Sequence, residues 1–107
     1  MQASINGFSS AAIGKERLLK AEIVRASNNI VSDMGEEKVI LSIENGKYYN
    51  LGVMGGQIWD LIEAPVTVLQ LIDMLTEQYE VERHTCEEQL IPFLLHMLDE
   101  GLIHLNE

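Results

Sequence analysis

Asn45-Gly46 stands between two apolar runs in the stretch SIENGKYYNLGVMGGQIWDLI, residues 42–62. Both residues tolerate the positive φ of a primed turn, so the dipeptide predicts a tight two-residue hairpin loop. That loop pairs Glu44 with Lys47, Ile43 with Tyr48, Leu41 with Asn50 and Ile40 with Leu51. One face then carries Ile40, Ser42, Tyr49 and Leu51, and the other carries Val39, Leu41, Ile43, Tyr48 and Asn50. The second strand runs directly into a helical pattern, and no later strand is in reach to pair with it. Its outer N–H and C=O groups are therefore left for something else to cover.

Upstream, residues 29–33 read as a further strand, joined by a turn at residues 34–37 to the strand over 39–44, which gives a three-stranded meander. Residues 15–25 suit either a short helix or a lead-in strand. Three helices follow the hairpin. The first covers residues 54–62 and stops before Pro65. Thr67 with Gln70 forms a capping box that opens the second, and Thr85 with Glu88 opens the third in the same way. Gly101 suits a left-handed C-terminal cap for the third helix, Pro92 should bend it, and residues 102–105 suit a short extended piece. The expected fold class is α+β, with a three-stranded antiparallel sheet followed by three helices. Residues 1–20 are expected to be a flexible N-terminal tail or an expression remnant, and residues 21–107 one domain.

The formal net charge of −10 over 107 residues is spread unevenly. Residues 1–47 balance, whereas residues 48–107 set Arg83 alone against eleven acids, so the C-terminal half repels phosphate. No apolar run approaches the roughly 18 residues of a membrane span, and the N-terminus lacks a secretory pattern, so a cytoplasmic protein without membrane association is expected. The single cysteine, Cys86, beside Glu87 and Glu88, reads as an inert thiol. His84, His96 and His104 show no metal-ligand spacing and there is no glycine-rich phosphate loop, so neither a metal, nor a cofactor, nor an enzyme activity is expected.

On a helical wheel the third helix shows an apolar arc of roughly 200° through Phe93, Met97, Leu90, Leu94, Leu98, Ile91 and Leu95, wider than one packed side requires. A small domain can bury such a helix between its other elements. Alternatively, part of the arc, Ile91, Leu95 and Leu98, walls a groove whose other side is the open strand. Such a groove suits an extended peptide, which adds a strand by main-chain hydrogen bonds while alternate side chains enter the cleft.

The ordered run NGKYYNLGVMGGQIWDLI, VTVLQLIDMLTEQYEV and FLLHMLDEGLI resembles the PqqD-like family, the RiPP recognition element, over residues 28–104. Gly52 stands where the family usually has Asn, and Met97 where it has Leu. The free-standing length is similar to that of the stand-alone leader-binding proteins of lasso peptide biosynthesis. The resemblance implies a winged helix-turn-helix-like domain that performs no chemistry. It implies binding of a precursor leader peptide as an added strand and its delivery to a leader peptidase and a cyclase. Carried over by position, the peptide-binding residues are Lys47, Tyr48, Tyr49, Asn50 and Leu51 on the strand, and Ile91, Leu94, Leu95 and Leu98 on the helix. Each has a plainer reading too: Tyr49, Leu51 and Leu94 suit the core, and Lys47 suits a salt bridge with Glu44. Two rival functions are DNA binding, which the absence of Lys and Arg from residues 85–100 opposes, and homo-oligomerisation through the open sheet edge.

Overall fold

In the computed structural model, which describes residues 14–106, the chain runs α1 (Lys15–Lys20), β1 (Glu22–Arg25), β2 (Asn29–Met34), β3 (Glu37–Ser42), β4 (Lys47–Leu51), α2 (Gly52–Leu61), β5 (Val66–Thr67), α3 (Val68–Tyr79), α4 (Arg83–Asp99) and β6 (Ile103–Asn106). The fold is mixed, with two three-stranded antiparallel sheets, ordered β2-β3-β4 and β5-β1-β6, and four helices among the described residues. The expected meander is the first sheet, and the three expected helices are α2, α3 and α4. A helix or strand at residues 15–25 and an extended piece after Gly101 were expected, but not β5 or the pairing of these strands into a second sheet, because strands of two to four residues are too short to show a period of two.

Residues 15–25 hold both of the alternatives, a helix and then a strand. Lys15–Lys20, expected within the tail, is helical and buries Leu18 in the core, while residues 1–13 lie outside the described residues.

The register of the central hairpin differs from expectation. Ser42 pairs with Lys47, Leu41 with Tyr48, Ile40 with Tyr49 and Val39 with Asn50, so residues 43–46 form a four-residue loop. The two-residue loop is instead Gly35-Glu36, closed by Met34 and Glu37, with Gly35 at φ +71°. Asn45 does not adopt positive φ, because other partners hold it. Its Nδ2 donates to the Glu100 carbonyl at 2.8 Å, its N–H donates to Ser42 Oγ at 3.1 Å, and the Gly46 N–H donates to the Ser42 carbonyl at 2.8 Å. A two-residue change of register preserves the faces, so Ile40 and Ser42 are buried on the helix side and Tyr48 is exposed on the other.

Between the sheets and helices lies one core around Ile23, Ile40, Ile62, Leu71, Leu94 and Met97. The Thr67–Gln70 capping box is present at the start of α3, each side chain bonding the other's backbone N–H. The Thr85–Glu88 box is not: α4 starts at Arg83, one turn of polar residues earlier, with Glu82 as its N-cap and no side-chain cap bond. At its other end Gly101 takes φ +74°, and the N–H groups of Gly101 and Leu102 donate to the carbonyls of Leu98 and Met97, closing the helix as a Schellman motif. The Arg25 guanidinium lies 4.8 Å from the centre of the Trp59 ring and donates to the Trp59 carbonyl, which ties β1 to the end of α2.

Candidate functional site

β4 has β3 on one side and no strand on the other, so alternate residues of Lys47–Leu51 present unpaired N–H and C=O groups at the sheet edge. α4 runs antiparallel to it. The C-terminal end of α4 meets Lys47 and Tyr49, and its middle, at Phe93, meets Leu51 through α2.

A polar clasp closes the first end. Tyr49 Oη donates to Glu100 Oε1 at 2.6 Å, Lys47 Nζ lies 4.0 Å from the same carboxylate oxygen, and Asn45 Nδ2 bridges the Glu100 carbonyl and, at 3.2 Å, Tyr49 Oη. The bond to the Glu100 carboxylate, with burial behind it, pushes the Tyr49 phenol above its ordinary value. Tyr49 thus spans the floor between strand and helix, and Lys47 faces Glu100 in place of Glu44.

The second end is held open. Gly52 starts α2 at φ +74°, its N–H donating to Asn50 Oδ1 at 2.8 Å, a conformation that suits glycine. Gly55 then lets the helix pass close to its neighbours: a Cβ there would lie 3.0 Å from Leu51 Cβ and 3.1 Å from the Phe93 ring. Beside this crossing lies an apolar cavity of about 280 Å³, with Leu51, Met54, Tyr79, Cys86, Leu90 and Phe93 among its walls. Burial pushes the Cys86 thiol up, which keeps it protonated and unreactive, as the sequence suggested.

The structure divides the residues named from the sequence into three groups. Lys47 to Leu51 form the edge strand, where Leu51 reaches the cavity, Tyr49 lies in the floor, and Tyr48 and Asn50 point to the solvent face. Leu94, 1% exposed, belongs to the core. Ile91 and Leu95 are not brought to the strand: they line a separate depression with Leu18 and Lys15 of α1, and Leu98, seven positions from Ile91 and so on the same face of the helix, packs against the core. The reason is rotational, because the helix turns Phe93 and Leu90 toward β4 and α1 covers part of the opposite face. Phe93 and Leu90 belonged to the apolar arc but could not be assigned a side from the wheel. Met54, Gly55 and Tyr79 were missed, with the Gly55-Gly56 pair the one signal of close packing there.

Among the described residues no group of three His, Cys, Asp or Glu side chains could hold a metal ion, and no helix is long and apolar enough to cross a membrane.

Residues 37–103 match the family described as coenzyme PQQ synthesis protein D (PqqD). No curated protein matches the chain. Among solved structures, the chain is similar to TbiB1 in complex with the TbiA(beta) leader peptide, with a TM-score of 0.69 and 26% sequence identity over 76% of this chain and 94% of that one.

Proposed function

The chain belongs to the PqqD family, as a PqqD-like RiPP recognition element, and from that premise we propose that it binds a precursor leader peptide as a fourth strand on β4. The observation that carries this is an unpaired strand edge lying beside an apolar cavity, in a chain similar to a protein solved with a leader peptide on it. Backbone groups of β4 hold the peptide main chain, and an alternate side chain enters the cavity between Leu51, Met54, Leu90 and Phe93. The clasp at Glu100 makes the other end polar, so recognition of apolar side chains concentrates at the Leu51 end.

On this reading the β2–β4 sheet is the wing of a winged helix-turn-helix-like unit put to peptide rather than DNA binding. Between Thr85 and Glu100, α4 offers no Lys or Arg to a phosphate. The module performs no chemistry itself and presents the leader to the leader peptidase and cyclase of a lasso peptide pathway. The long acidic half suits basic surfaces on those enzymes.

The test is calorimetry with synthetic N-terminal segments of the short precursor frames encoded beside this chain. One-to-one binding is expected. Met54→Glu places a carboxylate at the cavity mouth from a position that is 48% exposed, so the fold survives. Affinity should fall at least about a hundredfold. A folded Met54→Glu variant that binds as tightly as the parent would remove the cavity from the proposal.

A further inference from the structure

On the side of α4 turned away from β4, the depression against α1 has a volume of about 320 Å³ and an apolar floor of Leu18, Ile91 and Leu95. Its two rims differ, because the helical period puts Glu87 at one edge of this face and Glu88 with Pro92 at the other. At the first edge Lys15 Nζ lies 3.2 Å from Glu87 Oε1, so the charges there answer each other. At the second edge Glu88 Oε2 has the His84 imidazole at 3.6 Å, an ion pair only where that ring is protonated. Pro92 lies inside α4 and has no N–H, so the Glu88 carbonyl one turn before it lacks its helical partner. Residue 88 therefore offers two acceptors, a carbonyl and a carboxylate, beside an apolar floor. Proline is the least favourable residue for a helix interior, and this ring, being exposed, adds little to the core. The arrangement has a use if the freed carbonyl takes a donor from outside.

We propose that this depression docks an arginine presented by a partner protein, with its stem on Leu18, Ile91 and Leu95 and its guanidinium bonding the Glu88 carbonyl and carboxylate together. Arginine fits both halves of the site. Its methylene stem covers apolar surface while the head stays wet, and its planar fork of N–H donors reaches two acceptors at once. A lysine ammonium is a more strongly hydrated point charge and suits this pair of acceptors less. Long-range charge favours the same occupant: the chain carries −10, and residues 48–107 hold Arg83 as their one Lys or Arg against eleven acids. A second copy of this chain is repelled by that same charge. Because the site faces away from β4, an arginine seated here leaves the strand edge open, and the proposal stands apart from the leader-binding reading.

The experiment uses n-hexylguanidinium and n-hexylurea, which share shape and N–H donors and differ in charge. Binding to the full chain at low ionic strength is followed by the NMR shifts of the Leu18, Ile91 and Leu95 methyl groups. Hexylguanidinium is expected to bind about threefold or more tightly than hexylurea. n-Hexylammonium, which has the charge without the fork, should bind more weakly than hexylguanidinium, and tighter binding would overturn arginine as the occupant. Glu88→Gln should remove the preference for hexylguanidinium over hexylurea and leave hexylurea affinity unchanged. Pro92→Ala returns an N–H to the Glu88 carbonyl, so it should raise the thermal midpoint by several degrees while weakening both probes about threefold or more. Both positions are exposed, so the variants fold. Equal binding of hexylguanidinium and hexylurea in the parent, a preference that survives Glu88→Gln, a Pro92→Ala variant that gains no stability or binds both probes as the parent does, or shifts confined to other faces would each overturn the proposal. The leader titration reads β4, across the helix, and its result in either direction leaves this face as these probes find it.

Discussion

Gly56→Ala sets two effects of opposite sign against each other on the helix that frames the site. Gly56 lies within α2 and is buried, and replacing a helical glycine by alanine contributes about 1 kcal/mol through backbone entropy. Against this, the new Cβ would lie 2.9 Å from Lys38 Cβ and 3.6 Å from the Lys38 backbone nitrogen. Neither atom is the loose end of a side chain. Lys38 belongs to β3, and its ammonium is held by Asp60 at 2.7 Å and Asp33 at 3.1 Å. The helix must therefore back away from the sheet, and overpacking of this kind costs about 1–3 kcal/mol. Because the obstruction is fixed to the backbone, we take the upper part of that range, which leaves a net loss of about 1–2 kcal/mol after the propensity gain. Urea unfolding followed by Trp59 fluorescence reads this directly, since Trp59 is the single tryptophan and is 2% exposed. In a thermal scan each kcal/mol corresponds to about 4–8 °C for a domain of this size. A variant stabilised by about 1 kcal/mol, the bare propensity gain, would refute the close approach of α2 to β3.

Three other outcomes follow from the same geometry. Tyr49→Phe removes the bond to Glu100 and should cost about 1 kcal/mol near neutral pH. It should also flatten the alkaline limb: with its folded value raised, Tyr49 contributes stability that is complete below about pH 10 and is lost as pH rises through its folded value, and the phenylalanine variant lacks that decline in pH-dependent urea unfolding. Leu98→Asp, on the α1 side of α4, should lower stability by about 1–3 kcal/mol yet leave leader affinity within about threefold where the protein is folded; abolished binding in a folded variant would move the groove to that face. Thr67→Ala breaks both bonds of the capping box and should cost about 1 kcal/mol in the same unfolding assay, with an unchanged midpoint counting against the cap.

Much of this protein is written in local chemistry. The Thr67 box, the glycine at 101 and the helical periods depend on residues within a few positions of one another, and α3, the end of α4, β2 and β4 lie where those signals put them, while β3 lies two residues earlier than expected. The edge strand too follows from chain order, because a hairpin that enters a helix has nothing further to pair with. The face assignment of that hairpin survived a wrong register because its error was an even number of residues.

What tertiary structure alone decided is every feature that joins residues far apart in the chain. Asn45-Gly46 would make a two-residue loop in isolation, but Glu100, fifty-five positions away, captures the Asn45 side chain and the loop widens to four. The strands β1, β5 and β6 are too short for the sequence to show that they belong together, and only the fold pairs them into one sheet. The apolar arc of α4 announced a surplus face without saying which way it pointed. An amphipathic pattern fixes angles around a helix axis, not the rotation of that axis within the fold. Only the packing of α1 on one side and α2 on the other turned Phe93 to the strand and Ile91 away from it.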